Sequence, residues 1–154
     1  MEDRVEKAVK LFKEGYNCSQ AVTGAFCDIY GMDMELALRV SASFGGGLGR
    51  MREVCGAVSG MAIIAGLENG SIKGDDREGK KANYDLIVEM VNEFKKNNGT
   101  ILCRELLGLD RISGNIDTNP QERNENYYKV RPCEDKVREC ATIINDIIIS
   151  RKNK

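Results

Sequence analysis

The chain has 154 residues, of which 42% are hydrophobic and 31% charged, with a formal net charge of -1. That length suits one domain with its own core and is short for two, so residues 1–154 are read as a single helical domain. The near-zero charge, with no basic patch interleaved with aromatics, argues against nucleic acid and anionic membrane surfaces as partners.

The first helical pattern is "VEKAVKLFKEG", with Val5, Ala8, Val9 and Phe12 on one face and Gly15 placed to end it. Its charged, amphipathic character lacks the apolar core of a signal segment, which predicts a cytoplasmic location. "YNCSQAVTGAFCDIYG" follows, with Asn17 as N-cap, Gln20 three residues on as in a capping box, and an end at Gly31. "DMELALRVSASF" starts from Asp33 and runs into the glycine cluster Gly45, Gly46, Gly47 and Gly49.

After the cluster, Met51 to Leu67 reads as a buried helix whose small face, Gly56, Ala57 and Gly60, lets another helix backbone lie close. The run is too short and too interrupted to span a bilayer. Two such small-residue helices could also pair across a homodimer. A long amphipathic helix is predicted from Asp75 or Asp76 to about Lys96, with Ile87, Met90, Val91 and Phe94 inward and "NNG" closing it. "TILCRELLG" predicts a short helix opening at Thr100, and the Asn-rich stretch from Gly108 to Asn126 a long loop. Pro132 starts the last helix, with the stripe Val137, Ala141, Ile144 and Ile148. No period-2 strand pattern and no internal repeat is present. The expected fold class is all-α, a bundle of about six or seven helices.

Six cysteines and no histidine then restrict the chemistry. No imidazole base serves a Ser-His or Cys-His nucleophile, and any metal must be held by thiolates or carboxylates. Four of the cysteines fall at predicted helix starts. Cys18 follows the Asn17 cap, Cys55 lies in the opening turns after the glycines, Cys103 is three residues past Thr100, and Cys133 follows Pro132. Unpaired N–H groups and the positive end of the helix dipole favour a thiolate there, and the thiolate is both nucleophile and metal ligand. Cys27 and Cys140 fall further into their helices and are read as core. No C-x-x-C pair is present, so neither a thioredoxin-type dithiol nor a zinc ribbon is signalled. The glycine spacing fits neither a dinucleotide loop nor a Walker loop. Two readings of it stay open: a turn needed for packing, or bare backbone whose amides approach an anionic group. Arg50 and Arg52, which flank the turn, could help neutralise thiolate charge.

"EGYNCSQAV", "FGGGLGR" with "VCGAVSG", "CRELLG" and "PCEDKV", in that order, resemble the C-GCAxxG-C-C family of redox-active proteins. The family's four-cysteine pattern falls on Cys18, Cys55, Cys103 and Cys133. This chain reads Cys55-Gly56-Ala57 where the family label has Gly-Cys-Ala, and a one-residue shift turns a helical side chain by about 100°. The resemblance implies a redox role. A similar region associated with split-Soret cytochromes suggests an iron–sulfur site, [2Fe–2S] or [4Fe–4S], on the four thiolates with Gly45, Gly46 and Gly47 around it. Haem is not expected, since there is neither an attachment sequence nor a histidine. The alternatives are a cofactor-free thiol–disulfide oxidoreductase and a structural zinc module on the same four sulfurs. The redox partner and any catalytic residue are not readable from the sequence.

Overall fold

The computed structural model describes residues 3–108, 117–125, 127 and 132–154. Helix α1, Arg4–Lys13, is capped by the Asp3 carboxylate, which accepts from the Val5 and Glu6 amides. Asn17 and Gln20 form the expected capping box on α2, Cys18–Phe26. A 3₁₀ turn, Cys27–Tyr30, extends α2 to Gly31, whose φ of 72° ends it. Asp33 caps α3, Met34–Ser41.

Helix α4 spans Gly56–Asn69, α5 spans Arg77–Asn98, α6 is the single turn Cys103–Leu106, and α7 spans Cys133–Ile144. Beyond Ile144 the last helix widens into a π turn, Asn145–Ile149, before its final turn Ser150–Lys152. The all-α class expected from the periodicity is the class observed, with no strand among the described residues.

The core is built around α2, which packs against α1, α3, α4 and α7, while α4 packs in turn on α5 and α7. Phe12, Phe26, Met61, Ile64, Met90, Phe94, Val137 and Ile144 are fully buried where these helices meet. Large apolar side chains of this kind each contribute about 1.5–3 kcal/mol when removed from water. The small face of α4 does what its residues permit. A Cβ at Gly60 would come within 2.9 Å of the Ser19 carbonyl and 3.0 Å of Val22 Cβ, and one at Gly56 within 3.4 Å of Cys18 Cβ. The glycines thus let the start of α4 lie directly on the start of α2. No helix among the described residues is long and apolar enough to cross a membrane.

Two boundaries differ from expectation. The helix read from Met51 begins at Gly56, so Cys55 is its N-cap residue and lies outside its opening turns. The helix read from Thr100 begins at Cys103, because residues 101–104 are drawn into pairing with the segment before α4. Part of the loop expected over Gly108 to Asn126 lies outside the described residues.

Candidate functional site

The glycine cluster folds into a left-handed turn. Five consecutive residues, Gly46, Gly47, Leu48, Gly49 and Arg50, have φ between 57° and 73°, and Arg52 follows at 63°. Each L-residue in that region costs about 1–2 kcal/mol, so a run of this kind needs glycines to supply most of it. The turn spends its later amides internally: Leu48 donates to the Phe44 carbonyl (3.2 Å), Arg50 to Gly45 (3.3 Å) and Glu53 to Gly47 (2.9 Å). Its first amides, those of Gly46 and Gly47, have no acceptor among the described residues. They are the orphan donors that open any helical turn, here of the opposite hand.

Each of the three predicted glycines meets a different neighbour. A Cβ on Gly45 would stand 2.3 Å from Asn17 Nδ2, on Gly46 2.7 Å from Arg50 Cγ, and on Gly47 2.7 Å from both Cys103 Cβ and the Glu53 amide nitrogen. Asn17 itself donates to the Ala42 carbonyl (3.0 Å), which ties the α2 cap to the turn. The bare backbone is therefore wedged between the segments carrying Cys18 and Cys103.

On leaving the turn the chain forms an isolated antiparallel bridge, Val54 opposite Leu102. The Cys55 amide donates to the Ile101 carbonyl (2.7 Å) and the Cys103 amide to Glu53 (2.6 Å). Side chains alternate across such a pair, so Cys55 and Cys103, each one residue past the bridged positions, emerge on the same face. Cys18 opens α2 and Cys133 opens α7.

All four sulfur-bearing residues line one cavity of about 680 Å³, together with Gly45, Gly46 and Gly47. Cys55 and Cys103 are buried in its wall, whereas Cys18 and Cys133 are only partly buried. Burial pushes the Tyr127 hydroxyl above its ordinary value, and the neighbouring Cys133 acts in the same sense. Cys27 and Cys140 stand apart. Cys27 points back to the Gly24 carbonyl (3.5 Å), and Cys140 is fully buried in the core close enough to Cys55 to feel its charge.

The ionisation of these thiols reverses the expectation drawn from helix starts. Interaction with the Cys133 side chain, burial, and repulsion from Cys133, Cys55 and Cys103 push the Cys18 thiol well above its ordinary value. Burial pushes Cys55 up to about 11, although the Ala57 and Val58 amides at the start of α4 act in the opposite sense. The helix-start effect is present at Cys55, and desolvation with mutual repulsion outweighs it. Without a bound cation Cys18 and Cys55 keep their protons.

Cationic side chains surround the cavity: Lys13, Arg50, Arg52, Arg123 and Lys136 line it with Glu14 as the acid. Arg52 Nη1 lies 3.8 Å from the Cys103 sulfur. Arg50 turns away from the thiols, donating to the carbonyls of Asp117 (3.0 Å) and Asn119. Arg123 bonds the carbonyls of Phe12 and Tyr16 and stacks over the Phe12 ring at 4.1 Å. Sequence reasoning missed Arg123 and Tyr127, which lie in a polar segment with no periodicity to place them. The sulfurs share the cavity without closing on one point. Among the described residues no group of three or more Cys, Asp or Glu side chains could hold a metal ion as placed.

A family model described as "Putative redox-active protein (C_GCAxxG_C_C)" matches residues 16–147. That span includes all four cavity cysteines. No curated protein and no solved structure matches the chain.

Proposed function

From a chain that belongs to the C_GCAxxG_C_C family of redox-active proteins, we propose an iron–sulfur protein that holds its cluster on Cys18, Cys55, Cys103 and Cys133 for electron transfer or redox sensing. The observation that carries the reading is the delivery of four thiols from four separate segments to one cavity. A single zinc ion needs its sulfurs about 2.3 Å from one point, and these are not so placed. A cluster spreads its thiolates over several iron atoms, [2Fe–2S] and [4Fe–4S] alike. When bound, such a group supplies one-electron redox chemistry.

The chain's own groups fit a negatively charged body at this place. Gly46 and Gly47, whose amides have no acceptor among the described residues, line the cavity, and consecutive amides in a left-handed turn form an anion-binding concavity of a kind found at iron–sulfur sites. The Arg52 guanidinium, already at the Cys103 sulfur, meets thiolate charge on the same side. Bound metal would displace the protons that Cys18 and Cys55 keep in its absence, so uptake releases protons and strengthens with pH. Hydrogen bonds of this type around sulfur raise a cluster's reduction potential by stabilising its more negative form.

The test is anaerobic reconstitution of the reduced chain with ferrous iron and sulfide, followed by visible absorption and dithionite titration. The reading expects a coloured protein that bleaches on reduction and recovers on reoxidation. A protein that remains colourless and iron-free contradicts it.

A further inference from the structure

The cations around the cavity are unevenly paired. Lys13 is matched by Glu134 at 3.1 Å and Arg50 by Asp117 at 3.7 Å, while Glu14 is matched by Lys10 at 4.0 Å. Arg52, Arg123 and Lys136 also line the cavity, and none of them has a carboxylate partner among the described residues. Arg52 reaches the Cys103 sulfur at 3.8 Å through one nitrogen. Arg123 donates from Nη1 to the Phe12 carbonyl and from Nη2 to the Tyr16 carbonyl (2.7 Å). Lys136 Nζ donates to the side-chain oxygen of Asn98. All three residues are partly buried. Neutral acceptors satisfy their hydrogen bonds and leave their charge uncompensated, which is costly for groups drawn partly out of water. Each guanidinium has five N–H donors, so Arg52 and Arg123 both keep donors for a ligand. Arg123 is also fixed in advance, with its guanidinium carbon 4.1 Å from the centre of the Phe12 ring and two carbonyls holding its nitrogens. A cation ordered before binding loses little freedom when a ligand arrives.

We propose that the cavity binds a small molecule carrying at least two oxyanion groups, carboxylate or phosphate, between Arg52 on one side and Arg123 with Lys136 on the other. The inference goes beyond the cluster reading and does not rest on it, since it needs the cations and the open volume and no metal. That volume, about 680 Å³, lies within the range of small-molecule sites, about 300–1,000 Å³. The planar fork of arginine fits carboxylate and phosphate alike through parallel N–H···O bonds. Two groups are needed because the unmatched cations come from three segments: Arg52 leaves the glycine turn, Arg123 sits against the end of α1, and Lys136 stands on α7. The four thiols line the same cavity, so a ligand held there lies beside them.

The experiment is isothermal titration of the full chain, reduced and stripped of metal, at fixed ionic strength. The probes are pyrophosphate, citrate, acetate and uncharged succinamide. The expected result is saturable binding of pyrophosphate, citrate or both, one molecule per chain, with acetate at least about tenfold weaker and succinamide silent. Citrate alone assigns carboxylates, pyrophosphate alone assigns phosphates, and binding of both assigns the charge pattern they share; each sustains the proposal. Arg52→Gln, Arg123→Gln and Lys136→Gln should each weaken binding about tenfold or more, as expected for a lost hydrogen bond to a charged group. Lys81→Gln, on the exposed face of α5, should leave it unchanged. Because Arg123 also braces α1, circular dichroism checks that its variant is folded, and the Arg52 and Lys136 variants carry the test if it is not. The proposal is overturned if neither pyrophosphate nor citrate binds, if acetate or succinamide binds as well as they do, or if a folded variant of the three cations keeps the parental affinity. Equal weakening by Lys81→Gln overturns it too, since net charge alone would then be read. Iron uptake on reconstitution is scored separately. Binding by a chain that never takes up iron sustains this site alone, and iron uptake by a chain that binds neither probe sustains the cluster alone.

Discussion

Two glycines of one turn separate backbone strain from close packing. Gly47 and Gly49 both have positive φ, 73° and 57°, so alanine at either meets the left-handed penalty of about 1–2 kcal/mol. A less flexible unfolded chain returns about 0.4–1 kcal/mol of that in both variants. They differ in their surroundings. A Cβ on Gly49 meets nothing within 4 Å, whereas on Gly47 it meets Cys103 Cβ and the Glu53 nitrogen at 2.7 Å and Arg52 Cα at 2.9 Å. Two of those three atoms are backbone in the segment that pairs with residues 101–104, so they cannot rotate away. Overpacking of this kind typically costs a further 1–3 kcal/mol. Gly49→Ala should therefore cost about 0–1.5 kcal/mol and Gly47→Ala about 1–3 kcal/mol more, measured as urea unfolding free energies of the reduced, metal-free chain. Gly47→Ala should also raise the alkylation rate of Cys103, because its bridge is forced open. Equal costs for the two variants would refute the argument that the turn is shaped by contact with the Cys103 segment.

Alkaline conditions should weaken the metal-free protein. The unfolded Cys55 thiol ionises from about pH 9, while burial delays ionisation in the fold to about pH 11. Protons are thus bound more tightly by the folded state, and stability falls as pH rises through that window, by roughly 2–3 kcal/mol at 1.36 kcal/mol per unit. Urea midpoints of Cys55→Ala should decline less steeply with pH than those of the unmodified chain; parallel declines would contradict this. Asp28 lies 2.6 Å from Arg4, whose guanidinium holds its carboxyl below the usual range. Asp28 is half exposed, so Asp28→Asn should cost at most about 1 kcal/mol at pH 7. That difference should fade as pH falls through the depressed value, below about pH 4. A difference undiminished at pH 2.5 would show that the ion pair is not its source.

Local signals in the sequence were legible where one short segment decides the outcome. Asn17 with Gln20, Asp33 and Gly31 cap the helices they were expected to cap. Gly56 and Gly60 announce a close helix contact, and the contact is made with α2. The assignment of Met51 to Leu67 as one helix failed at its start for a physical reason. Hydrophobic periodicity does not report the sign of φ, and Leu48, Arg50 and Arg52 are residue types that seldom adopt left-handed backbone. The bridge between Val54 and Leu102 joins segments far apart in the chain, with too few residues on either side to leave an alternating pattern. The same distance hid the partners of Arg50 and Arg123. The proton affinity of the thiols was misjudged because helix position is local, whereas burial and the presence of three other sulfurs are properties of the folded cavity.

The most direct measurement of the central claim is iron and acid-labile sulfide per chain after anaerobic reconstitution, compared across six single Cys→Ala variants. Cys18, Cys55, Cys103 and Cys133 should each prove necessary for a stable, full complement, and Cys27 and Cys140 dispensable. A reconstituted parent chain without iron and sulfide would contradict the account, as would full loading in a variant lacking any of the four cavity cysteines.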